Sequence, residues 1–337
     1  MNQFVRDTKL NLGILYNITS RPWGGVNSFF RNFQRYAQTD KRVIISAKLS
    51  EADIILTVGH YSGPGIMMRK WQLKNVSRGF SLNNFLGKFS GKGKKKLTFR
   101  LDGLRRIYAP EAGRLDEPLI KNLPLADSVI FQSKYSRNSF IKENITYPKH
   151  QDIIINGANF ENFFPNKEIE LDSNKINLVS NSWSNNHKKG FKTIARFSKI
   201  DRVKVSHIGN WPNDISPEKV RLLGTMNEER IGHVLRGANF LLFPSENEAC
   251  SNVVIEALAS GLPVLYHNSG GTPELCQNNN FGLPLPENIQ DLNINRRFLD
   301  EAVDSHATMR AQILGRISSF NFRICYEKYI EHFQTLV

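Results

Sequence analysis

Short, unbroken apolar runs of strand length recur along the chain, with amphipathic stretches between them. Residues 10–16 (LNLGILY), 43–47 (VIISA), 53–58 (DIILTV), 96–101 (KLTFRL), 128–132 (SVIFQ) and 152–155 (DIII) form a first series. Their continuous apolar character, rich in Ile and Val, predicts strands of a parallel sheet covered on both faces. Between the first two, residues 27–38 place Phe29, Phe30, Phe33 and Ala37 at helical spacing. A second series comprises 176–180 (INLVS), 204–208 (KVSHI), 240–244 (FLLFP) and 263–266 (PVLY), separated by helical patterns at 191–198, 228–236 and 253–259. Alternation on this scale predicts βαβ units with right-handed crossovers. Residues 156–174 are rich in Asn and contain Pro165, the composition of a connection between two halves. The predicted fold class is α/β, with two Rossmann-like doubly wound domains at 1–158 and 159–320. A closing helix over 321–337 is expected to pack back on the first, with Ile324, Tyr329, Ile330 and Phe333 on one face.

Composition agrees with this size of fold. The chain has 337 residues, 40% hydrophobic and 23% charged, which excludes intrinsic disorder and fits two ordinary domains. No run approaches the roughly 18 apolar residues of a membrane span, and the polar first eleven residues lack a signal-peptide core. Cys250, Cys276 and Cys325 form no C-x-x-C pair, which indicates neither a zinc site nor a disulfide framework. A cytoplasmic protein, soluble or peripheral on the inner face of a membrane, is expected.

Charge changes the picture. The net charge is +14, and residues 66–114 hold 13 basic side chains against two acidic ones, Asp102 and Glu111. This stretch therefore carries +11. Within it, FSLNNFLGKFSGKGKKKLTFR sets Phe80, Leu82, Phe85, Leu86 and Phe89 before a lysine cluster, a pattern suited to an anionic membrane surface. A solvated basic face ranks second and a nucleic-acid backbone third.

Residues 243–276 (FPSENEACSNVVIEALASGLPVLYHNSGGTPELC) carry the most specific chemistry. A helix starting near Asn252, read as its N-cap, puts Glu248 in the loop above the helix N-terminus and Glu256 about one turn inside. The amides of Asn252, Val253 and Val254 then face the same space, where the helix dipole favours an anion. Anion cradling between two carboxylates suits a nucleoside diphosphate sugar, whose hydroxyls donate to carboxylates. Taken singly, each reads better as a solvated residue, Glu248 of the loop and Glu256 of the helix surface.

The E-x7-E spacing, followed by SGGTPE, resembles the donor-binding motif of the retaining glycosyltransferases of family 4, which have the GT-B fold. The likeness extends through WGGV, ADSVIFQSKYS, INGANFENFFP, SWSNNHKKGF and GNWP. It implies two Rossmann-like domains facing a central cleft, a nucleotide sugar as donor, a glycan or glycolipid acceptor, and no cofactor. It also implies roles: Glu248 on hydroxyls of the transferred sugar, Glu256 on the ribose, Asn252 and Val253 amides on the diphosphate, and Met226 beside the base. Lys189 corresponds to the phosphate-binding lysine and would stabilise the leaving group. The implied mechanism is front-face, with the leaving phosphate helping to deprotonate the acceptor. No D-x-D motif occurs, in keeping with transfer that needs no metal. Many relatives carry Arg where this chain has Trp183, which keeps open a non-catalytic nucleotide-sugar-binding protein.

Three further candidates lie in the first half. Gly24 and Gly25 open a helix after the first strand, either as a plain turn or as a donor-phosphate and acceptor contact. Asp102 follows a strand end, either as a turn residue or as a donor-sugar or acceptor contact, with Arg100 and Arg105 near the phosphate. His60 also lies at a strand end, facing a cleft or serving the core.

Overall fold

The computed structural model describes residues 9–19, 24–63, 66–80, 93–108, 110–166, 172 and 174–337. Trp23 and the predicted amphipathic core of the basic stretch, with Leu82, Phe85, Leu86, Lys88, Phe89 and Lys92, lie outside them. The chain forms two compact units, Met1–Ile155 with Cys325–Val337, and Asn156–Ile324.

The first unit contains strands β1 (Leu10–Leu15), β2 (Val43–Ile45), β3 (Ile54–Thr57), β4 (Lys96–Leu101), β5 (Ser128–Phe131) and β6 (Gln151–Ile153). They pair in parallel in the order β2-β1-β3-β4-β5-β6. Helices α1 (Gly24–Thr39), α2 (Lys70–Ser77), α3 (Arg105–Tyr108), α4 (Glu117–Asn122) and α5 (Lys134–Lys142) connect them. Strand order reverses between β1 and β3, the place where an open parallel sheet leaves a crevice at its carboxyl edge.

The apolar stripe of α1 explains its seat. Phe29, Phe30 and Phe33 are fully buried, and Phe29 and Phe33 meet Tyr326, Tyr329 and Phe333 of the last helix at ring distances of 5.1–6.4 Å. Truncating any one of these rings to Ala is worth about 3–5 kcal/mol. The buried face of that helix differs from the predicted one at its start. Ile324 is 41% exposed, whereas Cys325 and Tyr326 point inward beside Tyr329, Ile330 and Phe333.

Strands β7 (Ile176–Ser182), β8 (Val203–Gly209), β9 (Arg221–Gly224), β10 (Phe240–Phe243), β11 (Val264–Tyr266) and β12 (Gly282–Pro284) form the second sheet. All pair in parallel, in the order β12-β11-β10-β7-β8-β9. Helices α6 (Phe191–Phe197), α7 (Glu228–Arg236), α8 (Asn252–Ala259), α9 (Thr272–Leu275) and α10 (Leu292–Gly315) cover it, and α11 (Phe322–Gln334) begins here and continues as part of the first unit from Cys325. Here the order reverses between β7 and β10. The Asn-rich connection is partly built into this unit: Phe163 is buried and Ala158 pairs with Asn321, its amide donating to Phe320 O at 2.7 Å.

The basic stretch is less outward-facing than its composition suggests. Lys95 and Arg100 are buried, Lys94 and Lys96 approach Asp127, and Arg106 pairs with Asp116 and Glu143. Ile66 and Met67 are about half exposed next to the exposed Arg69 and Lys70. No helix among the described residues is long and apolar enough to cross a membrane.

Candidate functional site

Two loops meet at the point of strand reversal in the second unit. One leaves β7 and turns through a short 3-10 segment, His187–Lys189, capped by Asn186, whose side chain accepts from the Lys188 amide. Gly190 ends that turn at φ 76°, and a Cβ there would lie 2.7 Å from Pro244. Only glycine satisfies both the left-handed backbone and the close approach. The second loop leaves β10, and the Glu246 amide donates to Lys188 O at 2.9 Å.

These backbone ties bring together two side chains that lie 59 positions apart. Lys189 Nζ pairs with Glu248 Oε1, and Ser245 Oγ donates to the same oxygen at 3.0 Å. Both members of the pair stay about one-fifth exposed, at 19% and 21%, so the carboxylate and the ammonium are fixed yet open to a ligand. Lys188 contributes its backbone to the loop junction.

The backbone of Glu248 is held from its other side. Gly271 donates to Glu248 O at 2.7 Å, and a Cβ on Gly270, at φ 70°, would fall 2.5 Å from that oxygen. Asn247, at φ 56°, donates to Ser269 Oγ at 2.9 Å. The SGGTPE segment is thus the brace of the Glu248 loop, a role that spacing alone does not reveal.

Helix α8 starts one residue earlier in its capping than expected. Ser251 is the N-cap and makes no side-chain cap bond, and Asn252 is the first helical residue, its Oδ1 accepting from Asn156 Nδ2 at 2.9 Å. The first-turn amides of Asn252 and Val253 are therefore not taken up by the cap side chain. Val253 packs against the core below. Glu256, on the next turn, is half-buried. Burial, with Glu228 of α7 adding repulsion, pushes its carboxyl up to about 8. Glu228 is a neighbour that sequence reasoning missed, since 28 positions separate the two.

The remaining candidates are spread across the molecule. Met226 lies between β9 and α7, half-buried against the core. Trp183, 40% exposed, follows β7, with its carbonyl accepting from Asn210 Nδ2 at 2.5 Å. In the first unit, Gly24 and Gly25 are exposed at the start of α1. Asn27 fixes the preceding loop by bonding both backbone groups of Thr19. His60 Nδ1–H donates to Val58 O at 2.9 Å, and burial lowers its pKa. Arg100 is 1% exposed and faces Asp102 and Gln132, while Arg105 is exposed and its amide donates to Asp116. Among the described residues no group of three or more His, Cys, Asp or Glu side chains is placed to hold a metal ion.

Similarity to known proteins agrees with this geometry. Residues 216–303, which include Glu248 and Glu256, match the family described as glycosyl transferases group 1. The chain is 26% identical over 183 residues to the phosphatidylinositol N-acetylglucosaminyltransferase gpi3 subunit of Schizosaccharomyces pombe, covering 48% of this chain and 39% of that protein. It is 29% identical over 83 residues to sulfoquinovosyl transferase SQD2 of Arabidopsis thaliana, covering 23% and 16%. The chain thus spans well under half the length of these curated relatives. Among solved structures, sucrose-phosphate synthase of Thermosynechococcus elongatus superposes with a TM-score of 0.68 at 16% identity, covering 97% of this chain and 99% of that one. Anabaena HepE in complex with UDP-glucose gives 0.64 at 14%, covering 97% and 100%. The protein has the GT-B fold, and residues 216–303 of its second unit match the glycosyl transferases group 1 family.

Proposed function

We propose that the protein is a retaining glycosyltransferase that moves a sugar from a nucleoside diphosphate donor to a glycan or lipid-linked acceptor, without a metal. The observation that carries this reading is the Lys189–Glu248 pair at the strand reversal of the second unit, beside the α8 N-terminus. A diphosphate there meets the Lys189 ammonium and the first-turn amides of Asn252 and Val253. Glu248 accepts from hydroxyls of the transferred sugar, and Glu256 from the ribose. As the bond from C1 to the phosphate oxygen breaks, charge grows on the leaving diphosphate, and Lys189 and the amides stabilise it where it forms. The matched family segment supports the donor assignment. The name of one curated relative, a phosphatidylinositol N-acetylglucosaminyltransferase subunit, supports a lipid acceptor. The exposed Ile66 and Met67 beside Arg69 and Lys70 support approach to an anionic lipid surface.

The test is release of nucleoside diphosphate from a panel of UDP-, GDP- and dTDP-sugars. The expected result is turnover with at least one donor, reduced about a hundredfold or more in E248Q. Tight binding with no turnover across the panel and a set of acceptors would instead make the chain a sugar-nucleotide binding protein.

A further inference from the structure

The loop that leaves β7 carries an exposed aromatic side chain, Trp183, at the carboxyl edge of the second sheet. A single exposed apolar residue needs no explanation in itself. The way this one is held does.

Trp183 is clamped from the end of β8. The Asn210 amide donates to Ser182 O at 3.0 Å, and Asn210 Nδ2 donates to Trp183 O at 2.5 Å. On the following side, Ser182 Oγ donates to Ser184 O at 2.6 Å. Gly209 lets the two segments touch: at φ 102°, a Cβ there would fall 2.1 Å from Ser182 O. A buried imidazole stands behind the clamp. His207 is fully buried against the rings of Phe191 and Trp211, at 5.5 and 5.1 Å. Its Nε2 lies 3.0 Å from Asn210 O, a carbonyl that only accepts, so Nε2 carries the proton and donates. Nδ1 then accepts from Ser180 Oγ at 2.7 Å. Burial keeps this ring neutral, its pKa brought down to about 4. A chain of satisfied polar groups, Ser180 to His207 to Asn210, thus ends on the backbone of an exposed indole. Such a chain imposes one geometry on what it holds.

The neighbours of Trp183 decide what the indole meets. Counted on from the Leu241–Val179 pair, Ser245 falls opposite Trp183 at the adjoining strand end, and Ser245 Oγ donates to Glu248 Oε1 at 3.0 Å. Met226 follows β9, which lies two strands from β7, a spacing of roughly 10 Å. Trp183 therefore stands at the Glu248 end of the site, away from Met226. Its indole brings no charge to a diphosphate. It offers a flat apolar face with a negative quadrupole. The complement is a pyranose ring, whose weakly positive C–H groups lie against such a face while its hydroxyls reach outward to a carboxylate.

We propose that Trp183 is a stacking platform for the transferred sugar, covering the C–H face of its ring while Glu248 takes its hydroxyls. Asn210 and His207 are positioning residues that act through the backbone of Trp183. The inference rests on the donor reading above and adds to it the residue that recognises a sugar ring apart from phosphate and base.

Isothermal titration calorimetry on the full chain tests it, with UDP, GDP and dTDP and with the glucose and N-acetylglucosamine conjugates of each. The readout is the affinity of a conjugate relative to its own nucleoside diphosphate. W183A is expected to weaken the conjugate at least fivefold and to leave the nucleoside diphosphate within twofold of wild type. W183F is expected to restore most of that loss. Trp183 is exposed, so both variants are expected to keep the wild-type Tm. N210A is expected to lower the same ratio about threefold, whereas a merely structural role for Asn210 would lower Tm and leave the ratio unchanged. Equal weakening of conjugate and nucleoside diphosphate in W183A would put the indole on phosphate or base. That result, or no weakening of either, would overturn the platform and leave the donor reading standing. If no conjugate binds the wild-type protein, the donor reading falls and the platform with it.

Discussion

His332 Nδ1 lies 2.6 Å from an Asp152 carboxylate oxygen, and the opposite ring nitrogen lies 2.9 Å from Ser128 Oγ. The order Ser–His–Asp is that of a hydrolytic triad. Ser128, however, is fully buried and also shares a 2.8 Å bond with Thr98, so no substrate reaches it. The arrangement is a fastening. It ties α11 to β4, β5 and β6, with Nδ1–H donating to Asp152 and Nε2 accepting from the serine hydroxyl.

That fastening needs a neutral imidazole, and burial, against the opposing pull of Asp152, lowers the His332 pKa. The unfolded chain, with His near 6.5, binds a proton before the folded chain does. Stability is therefore full above about pH 6.5 and falls as the solution is acidified below it. H332A is expected to lose about 2–4 kcal/mol at pH 7.5 in urea denaturation, because a buried ring is removed and the Ser128 hydroxyl keeps only its bond with Thr98. Its stability should also depend less on pH between 6.5 and 5 than that of the wild type.

Glu256 shows the opposite sign. Its carboxyl is raised to about 8 from 4.5 by burial first and by Glu228 second. The folded state holds the proton longer, so stability declines as pH rises towards 8. E256Q is expected to raise Tm by about 2–5 °C at pH 8.5 and to weaken nucleotide-sugar binding at least tenfold. Differential scanning fluorimetry with and without donor reads both. An unchanged donor affinity would remove Glu256 from the site.

Lys189 separates binding from chemistry. K189M keeps the stem and removes the charge. The expected outcome is a fall in kcat of about 10² to 10³ with a smaller change in donor KM, because the diphosphate gains charge only as it leaves. Equal losses in both would mean that Lys189 binds the ground state and the transition state alike.

Gly190 tests how the two loops are joined. G190A forces a left-handed alanine and sets its Cβ 2.7 Å from Pro244. The expected cost is about 2–4 kcal/mol in chemical denaturation, together with a loss of activity as the Lys188–Glu246 backbone tie loosens. G237A, which meets nothing closer than 3.6 Å, serves as the control.

Most strands were legible because both faces of a parallel sheet are buried, which writes unbroken apolar runs such as DIILTV and FLLF into the chain. The exceptions are edge strands. β9 is largely exposed, and β12 contains Gly282, placed so that a Cβ would fall 2.0 Å from Val264 O, followed by Pro284. Helix α10 escaped notice for a different reason. Its buried stripe runs through Asn295, His306 and Arg310 as well as Phe298, Leu299 and Met309, and Arg310 is accommodated by donating to the Gly261 and Asn166 carbonyls. At the candidate site, the E-x7-E spacing was visible in the chain. The pairing of Lys189 with Glu248, the brace from Gly270 and Gly271, and the contacts of Arg100 with Asp102 and Gln132 depend on which strand ends become neighbours. Sheet order decides that, and no local pattern encodes sheet order.

The return of α11 to the first unit has a consequence for synthesis. Phe29 and Phe33 emerge from the ribosome early, yet the rings that cover them belong to Tyr326, Tyr329 and Phe333. The second unit is built from one continuous stretch, Asn156–Ile324, and holds all its sequence before that cover is made. The half that is translated first is thus the half that is finished last, and its aromatic face stays uncovered by these rings until residue 333 is free to fold.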